Sequence, residues 1–262
     1  MNVEVNDRVI ALEGVTNLRD YGGYAAGGGA RVRRDVLFRS GHHHVATDED
    51  LAAVGALNLR SIIDLRGNGE RERQPSLRPD GCKAEVLFFD GETAGLAPHL
   101  EAAEGALDEA GAYAAMERLY SRLPFRDNLI WIMRRYFEVL AEGKGASLVH
   151  CHAGKDRTGM AVALLHHALG VHPDDAMEDY LLTNAVADLD ARVAAYRETA
   201  RRKYGAKDDA TIRVLMGVDA RFLEAAYKAL RDEYGSVDAF LRTVLLVDDE
   251  RTEALRLHLL ER

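Results

Sequence analysis

Ser147-Leu148-Val149-His150-Cys151-His152-Ala153-Gly154-Lys155-Asp156-Arg157-Thr158-Gly159-Met160 is the stretch whose reading decides the fold. Ser147 to Val149 carry a short buried-strand signal, and from Met160 an Ala-rich apolar run continues as a helix to Gly170. A tight loop that closes onto a helix start aims several unpaired backbone N–H groups at one point, where the helix dipole adds roughly half a positive charge. An anion belongs in that concavity. Cys151 and Arg157 bracket the loop, with the sulfur at its mouth and the guanidinium able to fold back and grip a tetrahedral oxyanion through two parallel hydrogen bonds. The same field acts on the thiol. A free cysteine titrating at about 8.5 is only a few per cent thiolate at neutral pH, whereas helix N-termini and neighbouring cations bring such groups to about 3.5 to 7.5. Nucleophile, electrophile holder and preorganised donors are then assembled for a transferring phosphoryl group.

Rival readings of the loop fail on spacing. Gly154-Lys155 invites comparison with a nucleotide-binding loop, but that motif needs Ser or Thr directly after the lysine and a glycine five before it, where this chain has Asp156 and Val149. A metal set of His150, Cys151 and His152 is the poorer guess, because successive residues leaving a strand point in alternate directions and no second cluster has ligand spacing. No metal and no cofactor is expected. A buried inert cysteine is the usual fate of a lone Cys, but Gly154, Lys155, Arg157 and Thr158 around it argue otherwise.

Cys151, five residues, Arg157 and Thr158 resemble the Cys-x5-Arg-Ser/Thr signature of the protein tyrosine phosphatase superfamily. The fuller His-Cys-x-x-Gly-Lys-Asp-Arg-Thr-Gly form is similar to the bacterial tyrosine phosphatase-like branch, which includes atypical dual- and lipid-specific phosphatases. Thr16 to Gly23, Leu37 to Gly41, Ile62 to Arg66 and Tyr234 to Leu241 carry the same likeness, so it spans nearly the whole chain. The resemblance implies an α/β fold with a mostly parallel central sheet of about four or five strands, flanked by helices, and a helical lid over residues 175–230, inserted after the active-site helix. One domain over 1–262 is expected.

It also implies roles. Cys151 attacks phosphorus and forms a cysteinyl-phosphate, while His152, Ala153, Gly154, Lys155, Asp156 and Arg157 hold the phosphoryl oxygens. Thr158 hydrogen-bonds the sulfur, His150 buttresses the loop, and Lys155 adds positive charge at the rim, which would favour substrates with a second anionic group. Arg19 and Asp20 order a turn packed near the site. Many relatives carry their general acid on a separate loop well before the cysteine, and no Asp stands at that spacing here, Asp127 coming nearest. Asp156 is preferred, with Asp64 at the end of a strand the alternative, placed either to orient Lys155 or Arg157 or to donate a proton. The expected partners are a phosphorylated protein, peptide or lipid headgroup, with phosphate, sulfate or vanadate as simple anions at the loop. An arsenate reductase, a sulfurtransferase or a silent phosphate-binding module are the other classes the loop allows.

The rest of the chain fits this frame. A net charge of −9 argues against nucleic acid or an anionic membrane surface as the main partner, and the first residues lack a leader pattern, so the expected place is the cytoplasm without stable membrane insertion. Two cysteines, Cys82 and Cys151, give no disulfide framework. Thr47 before Asp48-Glu49-Asp50 predicts a helix start. Strands are expected around Val36–Phe38, Arg60–Leu65 and Ala84–Phe89, with a turn at Gly67-Asn68-Gly69 and a mobile connection over 91–111. Helices are expected over 112–122 and 126–142, the second with Leu129, Ile130, Trp131, Met133, Tyr136, Phe137 and Leu140 in its wide apolar stripe. Further helices follow from Asp174 to about Tyr204, and one amphipathic helix over 241–260 closes the chain. The arginines of the 186–204 helix, Arg192 among them, read as a solvated face. The run His42-His43-His44 reads as a loop accident or a substrate-facing edge.

Overall fold

The computed structural model describes residues 7–92, 108–204 and 208–262; most of the expected 91–111 connection lies outside them. The strands are β1 (Arg19–Asp20), β2 (Arg31–Val32), β3 (Leu37–Ser40), β4 (Ser61–Asp64), β5 (Glu85–Phe88), β6 (Ser147–His150) and β7 (Leu260–Glu261). Five form one sheet in the order β1-β3-β6-β4-β5, parallel from β3 to β5, with β1 antiparallel at the edge. The register pairs Ser40 and Asp64 with His150, so three strands end level at one carboxyl edge. The loop after His150 leaves the central strand at that edge, where open α/β sheets place their ligands.

Side-chain alternation assigns the two faces. Phe38, Ile62 and Leu148 point to one side, where Val54 of α1 (Asp48–Ala56) covers them with Val15 and Leu18. Leu37, Ile63, Leu87 and Val149 point to the other, against α4 (Asp127–Ala141) and α5 (Asp156–Leu169). In α4, Leu129, Ile132, Met133, Tyr136, Phe137 and Leu140 recur at helical spacing and are fully buried. Trp131 is out of phase with that stripe and is 45% exposed, edge-on to Phe89, which corrects its expected place in the core. Almost every residue of α5 is buried, and Gly170 ends it with φ +76°.

Two local expectations change. The turn expected at Gly67-Asn68-Gly69 opens the short helix α2 (Asn68–Arg73), because Glu70 accepts from Gly67 N at 3.2 Å and caps it. The closing helix is two, α10 (Val237–Thr243) and α11 (Asp249–Leu259), after which β7 pairs antiparallel with β2. Asp188, with φ +45°, separates α6 (Pro173–Val186) from α7 (Leu189–Tyr204). A second apolar cluster joins α3 (Glu109–Arg122), α8 (Asp209–Met216) and α9 (Ala220–Tyr234) through Met116, Tyr120, Ile212, Leu215 and Phe222, and it takes in Tyr180 and Val193. This helical layer lies beside the loop. Among the described residues no helix is long and apolar enough to cross a membrane.

Candidate active site

The loop is anchored from behind. Gly154 takes φ +66°, and a Cβ there would meet Ser40 O at 2.4 Å, so only glycine fits. Its carbonyl accepts from Asn17 Nδ2 at 2.7 Å and from Arg39 Nη2 at 2.9 Å, and the His152 carbonyl accepts from His42 N at 3.0 Å. Arg19 and Arg39 are both fully buried and share the carboxylate of Asp179 on α6, at 3.1 and 2.5 Å. Arg19 also donates to Asp179 O, Thr183 Oγ1 and Asn17 Oδ1. Burial alone would raise the Asp179 carboxyl, but Arg19 and Arg39 hold it well below the ordinary 3.8. Asp20 acts locally, accepting from Gly22 N, Arg34 Nε and Asp35 N. Both 14–23 loop residues therefore order their turn, and Arg19 also reaches α6.

The front is anchored by α2. Arg157 donates from Nη1 to Glu70 Oε2 at 2.6 Å and from Nη2 to Glu70 Oε1 at 2.7 Å, with Nη1 also 3.1 Å from Leu65 O. This bidentate pair fixes the plane of the guanidinium. Glu70 is 6% exposed; burial pushes its carboxyl up, and the Arg157 bonds outweigh that and bring it to about 2. Cys151, 2% exposed, follows the last residue of β6 and opens the loop that leads to Asp156 at the start of α5. No side-chain oxygen caps α5 among the described residues, whereas Thr47, Asp108, Asp208, Asp219, Ser236 and Asp248 cap six other helices. An uncapped helix start beside a buried thiol is left for an anion to complete.

Three expected roles change. Lys155 is not at the rim: it is fully buried, and Nζ donates to Leu215 O at 2.5 Å and Gly217 O at 2.9 Å, the carbonyls that end α8. Burial lowers it to about 8, with Asp156 at 3.7 Å acting in the opposite direction. Asp64 orients neither Lys155 nor Arg157. It receives Arg66 Nε, Nη2 and N at 2.7–3.0 Å and faces His150 Nε2 at 3.7 Å. Burial favours its neutral form, but His150 and Arg66 bring it to about 2, so it holds no proton to give near neutral pH. Thr158 Oγ1 is buried without a hydrogen bond to the sulfur.

Asp156 opens α5 and is buried, its Oδ1 accepting from Tyr120 OH at 2.9 Å, while Tyr180 OH donates to Tyr120 OH at 2.8 Å. His150 is buried, its charged form disfavoured by burial and favoured by Asp64, and it supports the loop with Nδ1 3.4 Å from Cys151 O. The His42 ring stands 4.8 Å from that of half-buried His152, and burial takes His42 and His43 down to about 3. His42 and His43 therefore stand beside the loop in neutral form. Among the described residues no group of three His, Cys, Asp or Glu could hold a metal ion.

Sequence reasoning missed Glu70, Asp179 and Tyr120. Two had a signal. Glu70 stands three residues after Gly67 at capping-box spacing, and Asp179 falls in phase with Ala176, Tyr180 and Thr183 on the inward stripe of α6. Tyr120 had none beyond its place on an apolar stripe.

A parallel sheet that delivers a cysteine and an arginine to one uncapped helix start is the architecture of a cysteine-dependent phosphatase. Comparison with known proteins agrees. A tyrosine phosphatase family model matches residues 10–261. A Cupriavidus necator protein named as a tyrosine-protein phosphatase is 35% identical over 246 residues, covering 91% of this chain and 85% of its own. The triple specificity protein phosphatase PtpB of Mycobacterium tuberculosis is 31% identical over 258 residues, covering 88% of this chain and 92% of its own. Among solved structures, that of P. aeruginosa TpbA is 18% identical, with a TM-score of 0.33 and coverage of 74% of this chain and 96% of that one, a likeness that adds nothing to the argument. The chain belongs to the tyrosine phosphatase family. It is a phosphatase.

Proposed function

We propose that the chain hydrolyses phosphate monoesters in two steps on Cys151. The thiolate attacks phosphorus in line, the loop N–H groups from His152 to Arg157 and the Arg157 guanidinium hold the equatorial oxygens, and water then cleaves the phosphocysteine. The observation that carries this reading is Cys151 buried beside the uncapped start of α5, with Arg157 clamped by Glu70 in the same loop. Asp156 serves as the acid for the leaving oxygen. Of the two candidates, Asp64 is held by Arg66 in a bidentate pair, while Asp156 accepts from the Tyr120 hydroxyl.

The substrate class is a phosphorylated protein or peptide, with phosphoserine, phosphothreonine and phosphoinositide headgroups as the further substrates the loop would take; one relative is named a triple specificity protein phosphatase. The cytoplasm, where thiols stay reduced, suits such a nucleophile. One domain, with residues 175–230 as a lid, is consistent with Lys155 reaching the end of α8. The direct test is phosphate release from an aryl phosphate at pH 5 to 8, with chelator present. Wild-type turnover is expected, reduced by about 10⁴-fold or more in Cys151→Ser. Turnover that survives in the variant or is abolished by chelator would defeat the cysteine mechanism, and no turnover with phosphate still raising the melting temperature would point to a silent binding module.

A further inference from the structure

Among the described residues, the cover of the loop carries an arginine whose guanidinium no protein hydrogen bond or ion pair engages. On α7, Leu189, Arg192, Val193 and Tyr196 recur at i, i+3, i+4 and i+7, the spacing of an inward face. Val193 is 3% exposed, and Leu189 and Tyr196 pack against the same apolar cluster, which also contains Tyr120 and Tyr180. Those two hydroxyls lead directly to Asp156 in the loop. Arg192 thus stands in phase with the buried stripe of the helix, half-buried itself.

Its neighbours on the surface behave otherwise. Arg197 pairs with Asp209, and Arg213 with Asp190, both exposed. Among the described residues no hydrogen bond or ion pair engages the Arg192 guanidinium. Burial lowers its titration, and the charges it feels in the opposite direction are those of Asp156 and Cys151. The other cations of the loop are committed: Arg157 to Glu70, Lys155 to two carbonyls, Arg39 to Asp179 and Gly154 O. A half-buried guanidinium without a protein partner loses water contacts and gains none in return, unless a bound anion supplies them.

We infer that Arg192 is a binding residue for the phosphoryl oxyanion held over Cys151, supplied from the covering helix α7 and acting alongside Arg157. The inference rests on the phosphatase reading of the loop. It also moves the cation expected at the rim from Lys155 to Arg192. A planar guanidinium is suited to the task, since it takes two oxygens of a tetrahedral anion at once.

The test uses Arg192→Gln, Arg192→Lys and, as a control on the same helix, Arg197→Gln, with vanadate and inorganic phosphate as probes. Arg192→Gln is expected to raise KM for an aryl phosphate and the inhibition constant for vanadate by about tenfold, with a smaller change in kcat. Arg192→Lys should recover part of that loss, and Arg197→Gln should behave as wild type. The melting temperature without anion should hold or rise in Arg192→Gln, while the upward shift produced by phosphate shrinks. Unchanged KM and vanadate inhibition in Arg192→Gln, with active wild type, would overturn the role of Arg192 and leave the reading of Cys151 intact. A wild type that neither turns over nor binds vanadate would overturn both. Equal losses in Arg192→Gln and Arg197→Gln would overturn the specific role and point to general stabilisation of α7.

Discussion

Two buried arginine–carboxylate sets grip the loop from opposite sides, and they are built differently. Behind it, Arg19 and Arg39 share the single carboxylate of Asp179, and further donors of the two go to backbone, amide and hydroxyl acceptors in the 14–23 loop, the catalytic loop and α6. In front, one arginine meets one carboxylate in a closed bidentate pair, Arg157 with Glu70. The first set carries an excess positive charge that carbonyl dipoles must satisfy, so it ties three segments of chain together. The second is neutral as a pair, so it fixes the direction of a guanidinium at little electrostatic cost. The rear set should therefore govern stability and the front set turnover.

The largest expected effect lies in the rear set. Asp179→Asn removes the carboxylate that two buried arginines share, which should cost about 3 to 5 kcal/mol. In a chain of this size that corresponds to a melting temperature lower by roughly 10 °C. The pH dependence has a definite sign. The folded Asp179 carboxyl lies well below its ordinary 3.8, so its contribution is complete above that value and is lost as pH falls below it. The stability gap between wild type and Asp179→Asn, measured by urea titration, should be widest from pH 5 upward and narrow toward pH 3. A gap that widens in acid would break the assignment.

Glu70→Gln should come next and should appear in a different measurement. An amide NH₂ would face the guanidinium where an oxygen now accepts, so Arg157 loses its fixed plane. Hydrogen bonds to charged groups are worth about 1.5 to 3 kcal/mol, which predicts a fall in kcat/KM of roughly 10- to 100-fold. The melting temperature should fall less than in Asp179→Asn. If Glu70→Gln cost as much stability as Asp179→Asn while kcat/KM per folded molecule stayed at the wild-type value, the division of labour between the two sets would be wrong.

The sequence reported these sets unequally, for a physical reason. Cys151 and Arg157 belong to one loop whose spacing is local, and the strand periods before it were enough to place β6 in a parallel sheet. Arg19 was legible only through a resemblance, because a turn with Asn, Arg and Asp looks like ordinary turn chemistry. Its partner Asp179 comes much later in the chain, where folding brings α6 against the loop. Lys155 failed in the same way: its position in the loop was right, but the carbonyls that bury it belong to Leu215 and Gly217, which no local pattern connects to it. Asp179 and Arg192 teach a usable rule. Each is a charged residue in phase with the buried stripe of an otherwise ordinary helix, and such a residue needs a buried partner, whether protein or ligand.

The smallest expected effect is also the sharpest probe of how the loop connects to its helical cover. Tyr120 OH donates to Asp156 Oδ1 and itself receives Tyr180 OH, so two helices reach the loop carboxylate through hydroxyls alone. Tyr120→Phe deletes that donor with little change of shape, at a stability cost of about 1 kcal/mol. Its catalytic consequence depends on what Asp156 does. The hydroxyl supports the ionised carboxylate, so its removal favours the protonated form. If Asp156 gives its proton to the leaving oxygen, the alkaline limb of the kcat profile must move to higher pH in Tyr120→Phe, by up to about one unit for a bond of that strength. The shift should shrink with aryl leaving groups that depart without a proton, and it should vanish in Asp156→Asn. A limb that stays fixed across all these substrates would remove Asp156 as the acid and leave Tyr120 a packing residue of the second apolar cluster.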